Sequence, residues 1–201
     1  MLYTTRTSLP LDNGRTLIKT APTGSAVLVV ELQSHLRIEG DEEYLETLGE
    51  TATEFASRYL RRSILETELV RAYDLKDSSP QLRVEYQSRP EIILPYGPIK
   101  TVDRVYTIGE SGAETDITEY YLDDVSVPER IFLQQLRSGR ELSFLRVEYT
   151  AGYEPIPATI KHGILMHAAY LYERRGECDA QSAAVQSGAI DTYRHYKAVC
   201  V

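Results

Sequence analysis

"VEYTAGYEPIPATIKHGILMHAAYLYERRGE", residues 147–177, changes character halfway along. Through Thr150 it alternates: Val147 and Tyr149 point one way, Glu148 and Thr150 the other, which is the period of a half-buried strand. Gly152 then permits a backbone reversal. Pro155 and Pro157 bar further ladder pairing, and Pro157 suits the first turn of a helix. Beyond them Ile160, Gly163, Ile164, His167, Ala168, Leu171 and Tyr172 fall on one helical face. Gly163 and two alanines keep that face thin, so another helix can approach closely. The segment reads as a mechanical joint between a sheet and a helix, not as a reaction loop.

Working towards the N-terminus, residues 63–150 keep a period of two. Leu65, Leu69 and Tyr73 share a face in "ILETELVRAY", and "LRVEY", "EIILP", "TVDRVYTI", "YYLD", "RIFL" and "FLRVEYT" follow. Turn clusters such as "PYGP", "GESGAE" and "RSGRE" separate them, leaving no room for crossover helices. An antiparallel sheet or a small barrel is expected. Before it, "DEEYLETLGETATEFASRYLRR" opens on Asp41, an expected N-cap, with acidic residues in the first turn. Tyr44, Leu45, Leu48, Ala52, Phe55, Tyr59 and Leu60 give its apolar stripe. A shorter helix is expected over 30–37, ended by Gly40. Residues 1–26 read as an extended arm or loose strand. After Glu177 a polar loop leads through residues 176–188 to a last short helix carrying Ile190, Tyr193 and Lys197 on one side.

The expected fold class is therefore α+β: an N-terminal helical pair, a central antiparallel sheet or small barrel, and C-terminal helices packed together as a bundle. The domain plan is an arm over 1–26 and one domain over 27–201, helical in 27–62, β-rich in 63–151 and helical again in 155–201. A chain of 201 residues can bury a real core as one such domain.

Composition narrows the function. The formal charge of −8 argues against a general nucleic-acid binder; Arg58, Arg61 and Arg62 read as the solvated end of a helix. No apolar run is long enough to span a membrane, and the first residues lack the pattern of a secretory signal. Two cysteines, Cys178 and Cys200, do not make a disulfide framework, and a reduced, cytoplasmic site of synthesis is expected. The chain has 15 Tyr against 3 Phe and no Trp. Tyrosine suits surfaces that are sometimes wet and sometimes covered, and it also favours strands; both readings stand.

The search for chemistry yields no catalytic, cofactor-binding or metal-binding residue. His162 and His167 are five apart on one helix and cannot share a metal in the i, i+4 manner. No nucleophile elbow exists. Asp123–Asp124, Glu42–Glu43 and Glu119 are the carboxylates that could serve as acid and base, and they read as solvated turns. A small acid–base enzyme with a barrel cavity and a monomeric binding module are the alternative functions.

Three stretches in order carry a resemblance: "LVVELQSHLRIEGDEEYLETLGETATEFASRYLRRSIL" (residues 28–65), "EIILPYGPIKTVDRVYTI" (91–108) and "LRVEYTAGYEPIPATIKHGILMHAAYLYERRGE" (145–177). Together the sequence resembles the head–tail connector (adaptor) proteins of tailed phages. The resemblance implies a structural virion protein of the neck, made in the host cytoplasm, with no enzymatic activity and no cofactor. It implies a ring of twelve copies beneath the portal protein that extends the DNA channel and presents a surface to a stopper, head-closure or tail-completion protein. Double-stranded DNA would pass an acidic lumen without specific binding. The terminal aromatic helix then becomes a candidate partner interface, with Tyr193, Tyr196, Val199 and Val201 set against the portal; the other reading is that this helix caps the core of its own chain.

Overall fold

The computed structural model describes residues 16–75, 82–83, 90–134 and 142–198. The chain divides into two compact units, each built from separated segments: a β-rich unit from residues 1–21, 66–152 and 199–201, and a helical unit from residues 22–65 and 153–198.

In the β-rich unit every strand pairing is antiparallel. The strands are β1 (Thr16–Thr20), β2 (Thr67–Asp74), β3 (Leu82–Arg83), β4 (Glu91–Ile93), β5 (Ile99–Gly109), β6 (Glu114–Asp116), β7 (Tyr120–Asp123), β8 (Arg130–Leu133) and β9 (Leu142–Ala151). One sheet runs β1-β2-β9-β5-β6 and the other β3-β4-β8-β7. Among the described residues these are two open sheets and no barrel closes, which removes the barrel alternative. Residues 16–20 of the segment expected as an extended arm or loose strand form β1, the end strand beside β2 among the described residues; residues 1–15 lie outside the described ones.

The register places Leu69 opposite Tyr149 and Tyr73 opposite Leu145. These side chains, with Val147 and Val105, share one buried core with Ile92, Leu94, Ile131 and Leu133 of the smaller sheet. The opposite face of the larger sheet is polar. Lys19 donates to Glu148 at 2.7 Å and Tyr106 donates to the same carboxylate at 3.2 Å. Arg104 lies 4.1 Å over the Tyr106 ring and pairs with Asp116 at 2.7 Å and Glu114 at 2.9 Å. One buried face and one wet face is the usual state of an antiparallel sheet. Two positions depart from a plain apolar-in, polar-out pattern. Arg71 is buried on the core side, where its Nη1 donates to Thr16 at 2.6 Å. Val105 and Tyr106 are both buried although adjacent, because the β5–β9 register shifts nearby.

The "PYGP" turn has its own logic. Tyr96 adopts φ 64°, and Gly97 packs against the buried Glu129 side chain. A Cβ at Gly97 would fall under 3.0 Å from that carboxylate, so any larger residue would push the Glu129 side chain aside. Tyr149 fastens the turn to the central strand by donating its hydroxyl to the Pro95 carbonyl at 2.8 Å.

The helical unit contains α1 (Val29–Leu36), α2 (Glu42–Leu60), α3 (Ala158–Glu173), α4 (Ala180–Gln186) and α5 (Ala189–Tyr193), the last continuing as a 3-10 turn over Arg194–Tyr196. In α2 the buried positions are Leu45, Leu48, Gly49, Ala52, Thr53, Ala56 and Leu60, spaced by three and four. Leu32 of α1 and Ile160, Ile164 and Ala168 of α3 complete its core with Ala189 and Tyr193 of α5. Residues 180–186, expected within a polar loop, form a helix. Asp179 caps it by accepting the Ser182 N–H at 2.8 Å, and only Ala183 and Ala184 are buried, so the pattern has almost no apolar signal.

The opening segment is the passage from one unit to the other: Gly152 ends the β-rich unit and Tyr153 begins the helical one. Gly152 has φ 151°, and its N–H donates to the Pro98 carbonyl at 2.9 Å. Tyr153 N–H donates to Ile64 at 3.2 Å, and α3 starts straight after Pro157.

His167 sits on the inner face of α3, edge-on to Phe55 at 5.0 Å. The Ala180 backbone is near enough to favour a charged ring slightly, but no hydrogen bond of normal geometry reaches either nitrogen, and burial holds the imidazole below its usual 6.5. A ring that stays neutral when folded but binds a proton when unfolded makes the unfolded chain the larger proton binder. Stability is then complete above pH 6.5 and falls as pH drops below it. Thermal melts between pH 7 and 5 should show this fall, and His167→Leu should flatten it. An equal fall in both proteins would contradict the assignment.

Candidate interaction surfaces

The sequence-derived candidates occupy different environments. Tyr193 is fully buried, its ring 6.1 Å from that of Tyr59 and packed against Gly163. Burial with no partner for its hydroxyl pushes the phenol pKa up. Tyr196 is half-buried against the same core. Its carbonyl accepts from Arg62 Nε at 2.8 Å, and Ala198 N–H donates to Leu60 at 2.9 Å. The chain is thus tied to the end of α2 up to Ala198; Val199 and Val201 lie outside the described residues.

The carboxylates considered for acid–base work are held in separate turns. Asp123 accepts the N–H groups of Val125 at 3.2 Å and Ser126 at 3.1 Å, and hydrogen bonding from Ser126 keeps it below the usual carboxylate range. Glu119 and Asp124 are exposed in the same unit, whereas Glu42 and Glu43 are exposed on the first turn of α2 in the other. Among the described residues no three His, Cys, Asp or Glu side chains could hold a metal ion, and no helix is long and apolar enough to cross a membrane.

Asp41 stands at the N-cap position of α2 but does not cap it. Its backbone is left-handed, at φ 55°, and its carboxylate makes no cap hydrogen bond. Instead it accepts from Tyr172 at 2.7 Å and Arg175 at 2.6 Å. The Arg175 guanidinium lies 4.3 Å from the Tyr172 ring and 4.5 Å from the Tyr44 ring. The Tyr172 and Arg175 hydrogen bonds hold the Asp41 carboxyl below its usual value. This clasp closes the end of α3 over the start of α2. It pairs residues more than 130 positions apart, so no local pattern could reveal it.

Among the described residues, large apolar side chains reach solvent singly at Tyr44, Phe144 and Val185 and in two short stretches. Tyr121, Val125 and Val127 do so on β7 and the β7–β8 connection, and Leu28 and Val30 at the start of α1. Sequence reading singled out neither group.

No protein-family model matches the chain, and no curated protein does. Solved structures do. A chain from the virion of a native gene transfer agent (GTA) particle aligns with TM-score 0.71 at 18% identity, covering 92% of this chain and 96% of that one. The fold is that of a GTA particle chain. Two further matches are of the particle's neck. In the neck of an empty GTA particle, computed with C6 symmetry, the TM-score is 0.69, the identity 19% and the coverage 92% and 96%. In the neck of a native GTA particle, computed with C12 symmetry, the values are 0.67, 19%, 92% and 95%. The likeness is one of fold, and it runs nearly from end to end of both chains.

Proposed function

We propose that this chain is a structural, non-enzymatic subunit of a virion neck, an adaptor that forms a ring beneath a portal protein. The observation that carries the reading is the end-to-end likeness to chains in GTA necks, one of them computed with C12 symmetry. A fold alone does not fix a function. Here it agrees with the ordered resemblance of residues 28–65, 91–108 and 145–177 to head–tail connectors. Twelve copies, made in the host cytoplasm, would extend the DNA channel and offer their far side to a stopper, head-closure or tail-completion protein. The C-terminal helices α3, α4 and α5 would pack together as the adaptor-type helical bundle. A formal charge of −8 per copy favours a lumen that repels phosphates, so double-stranded DNA slides through without specific binding.

The C-terminal residues belong to this proposal in divided roles. Tyr193 and Tyr196 anchor the segment on α2 and α3, and the residues after Ala198, Val199 and Val201 among them, reach the portal. An antibody against this chain should label the head–tail junction of intact particles. Label on the capsid faces or the distal tail, or no label at all, would contradict the assignment.

A further inference from the structure

Two polar side chains inside the helical unit are buried without a hydrogen-bonding partner among the described residues, and one short segment covers both. His167, on the inner face of α3, has both ring nitrogens buried and unpaired. Ala180, the first residue of α4, lies beside that ring. Tyr193, on α5, is fully buried with its hydroxyl unpaired. Such groups lose their hydration on folding and gain nothing in exchange, so each one weakens the packing that covers it.

The covering segment holds on lightly. Helices α4 and α5 pack on α2 and α3. α4 buries Ala183 and Ala184, and α5 buries Ala189 and Tyr193. α2, by contrast, buries Leu45, Leu48 and Leu60 as well as smaller residues. An alanine methyl removes little apolar surface from water, which leaves the Tyr193 ring as the main buried anchor. The polar ties are ones that water can replace. Tyr170 donates to Gln186 in an exposed pair, and Arg62 Nε donates to the Tyr196 carbonyl at 2.8 Å in a part-buried one. Lys197 lies 4.4 Å over the Tyr59 ring.

We propose that residues 180–198 form a strap that lifts off α2 and α3 as one unit while those two helices stay folded, because lifting hydrates the His167 ring and the Tyr193 hydroxyl together. Local opening belongs to the parts of a fold that bury few apolar contacts. Here it gives up three alanines and one ring and returns water to three polar atoms. The strap is a property of the free chain and does not depend on the ring reading.

Hydrogen exchange of the full chain near neutral pH, read by mass spectrometry, tests this. Amides of α4 and α5 should exchange together, and faster than those of residues 48–56 in α2, by about tenfold or more. Two changes separate a strap from a fraying chain end. Tyr193→Phe keeps the ring and deletes the dehydrated hydroxyl. His167→Leu removes the dehydrated imidazole from α3, outside the strap. Each should slow exchange across α4 and α5 by about tenfold and leave residues 48–56 as they were. A fraying end would ignore the change on α3, so unaltered exchange in a folded His167→Leu protein overturns the strap. So does exchange of α4 and α5 no faster than that of α2, or a Tyr193→Phe protein that exchanges as fast as the parent. If His167→Leu does not fold, Tyr193→Phe decides the matter alone.

Discussion

Replacing Gly163 with leucine will break the packing of the last helix against α3. A Cβ at this position falls under 3.0 Å from both Thr192 Oγ1 and Tyr193 Cε1. Tyr193 cannot step aside, because its ring is fully buried and lies against Tyr59. Even alanine forces the helices apart, and overpacking of this kind costs about 1–3 kcal/mol, with leucine at the upper end or beyond. The change also has a defined place. Hydrogen exchange should accelerate in α5 and the following 3-10 turn, while the strands of the β-rich unit keep their protection. A Gly163→Leu protein that melts with the parent and protects α5 equally well would show that α5 does not lock into the glycine notch.

Truncating Tyr149 to alanine will cost still more, about 3–5 kcal/mol, the range for removing a large aromatic side chain from a core. Tyr149 is fully buried on β9, which sits between β2 and β5 in the larger sheet. The cavity opens where both neighbouring strands depend on it. Tyr149→Phe separates packing from polarity. It keeps the ring and loses the 2.8 Å hydrogen bond to the Pro95 carbonyl, a loss of about 1 kcal/mol. Denaturant titration should rank the three proteins in that order. If phenylalanine is as damaging as alanine, then the fastening of the "PYGP" turn, not the ring, is what the sheet depends on.

These two positions also show what could be read without coordinates. The alternation Leu145, Val147, Tyr149 and the helical spacing of Ile160, Gly163, Ile164 and His167 are repeats imposed by burial on one face, and both elements form where the pattern puts them. The close approach at Gly163 follows from the missing side chain. What was not legible depends on partners distant in the chain. Asp41 looks like a cap until Tyr172 and Arg175 take its carboxylate. Tyr193 lies on the apolar side of a terminal helix, a pattern that fits an outward anchor or an inward one, and only the fold puts it inside. Helix α4 escapes notice because two alanines are all it buries. The assembly of each unit from separated segments is invisible to any periodic reading, since periodicity reports which face is buried and not what buries it.

The exposed apolar groups belong to the same class of unread features. Val125 and Val127 lie in a turn, where alternation has no meaning, and Leu28 precedes the first helical turn. They became visible only as surface.

Electron microscopy of this chain mixed with its purified portal tests the central claim most directly. The account predicts a second ring stacked coaxially on the portal, with the portal's symmetry or a simple fraction of it and an open central channel. Portal rings that stay bare at saturating concentrations of a folded chain would contradict it.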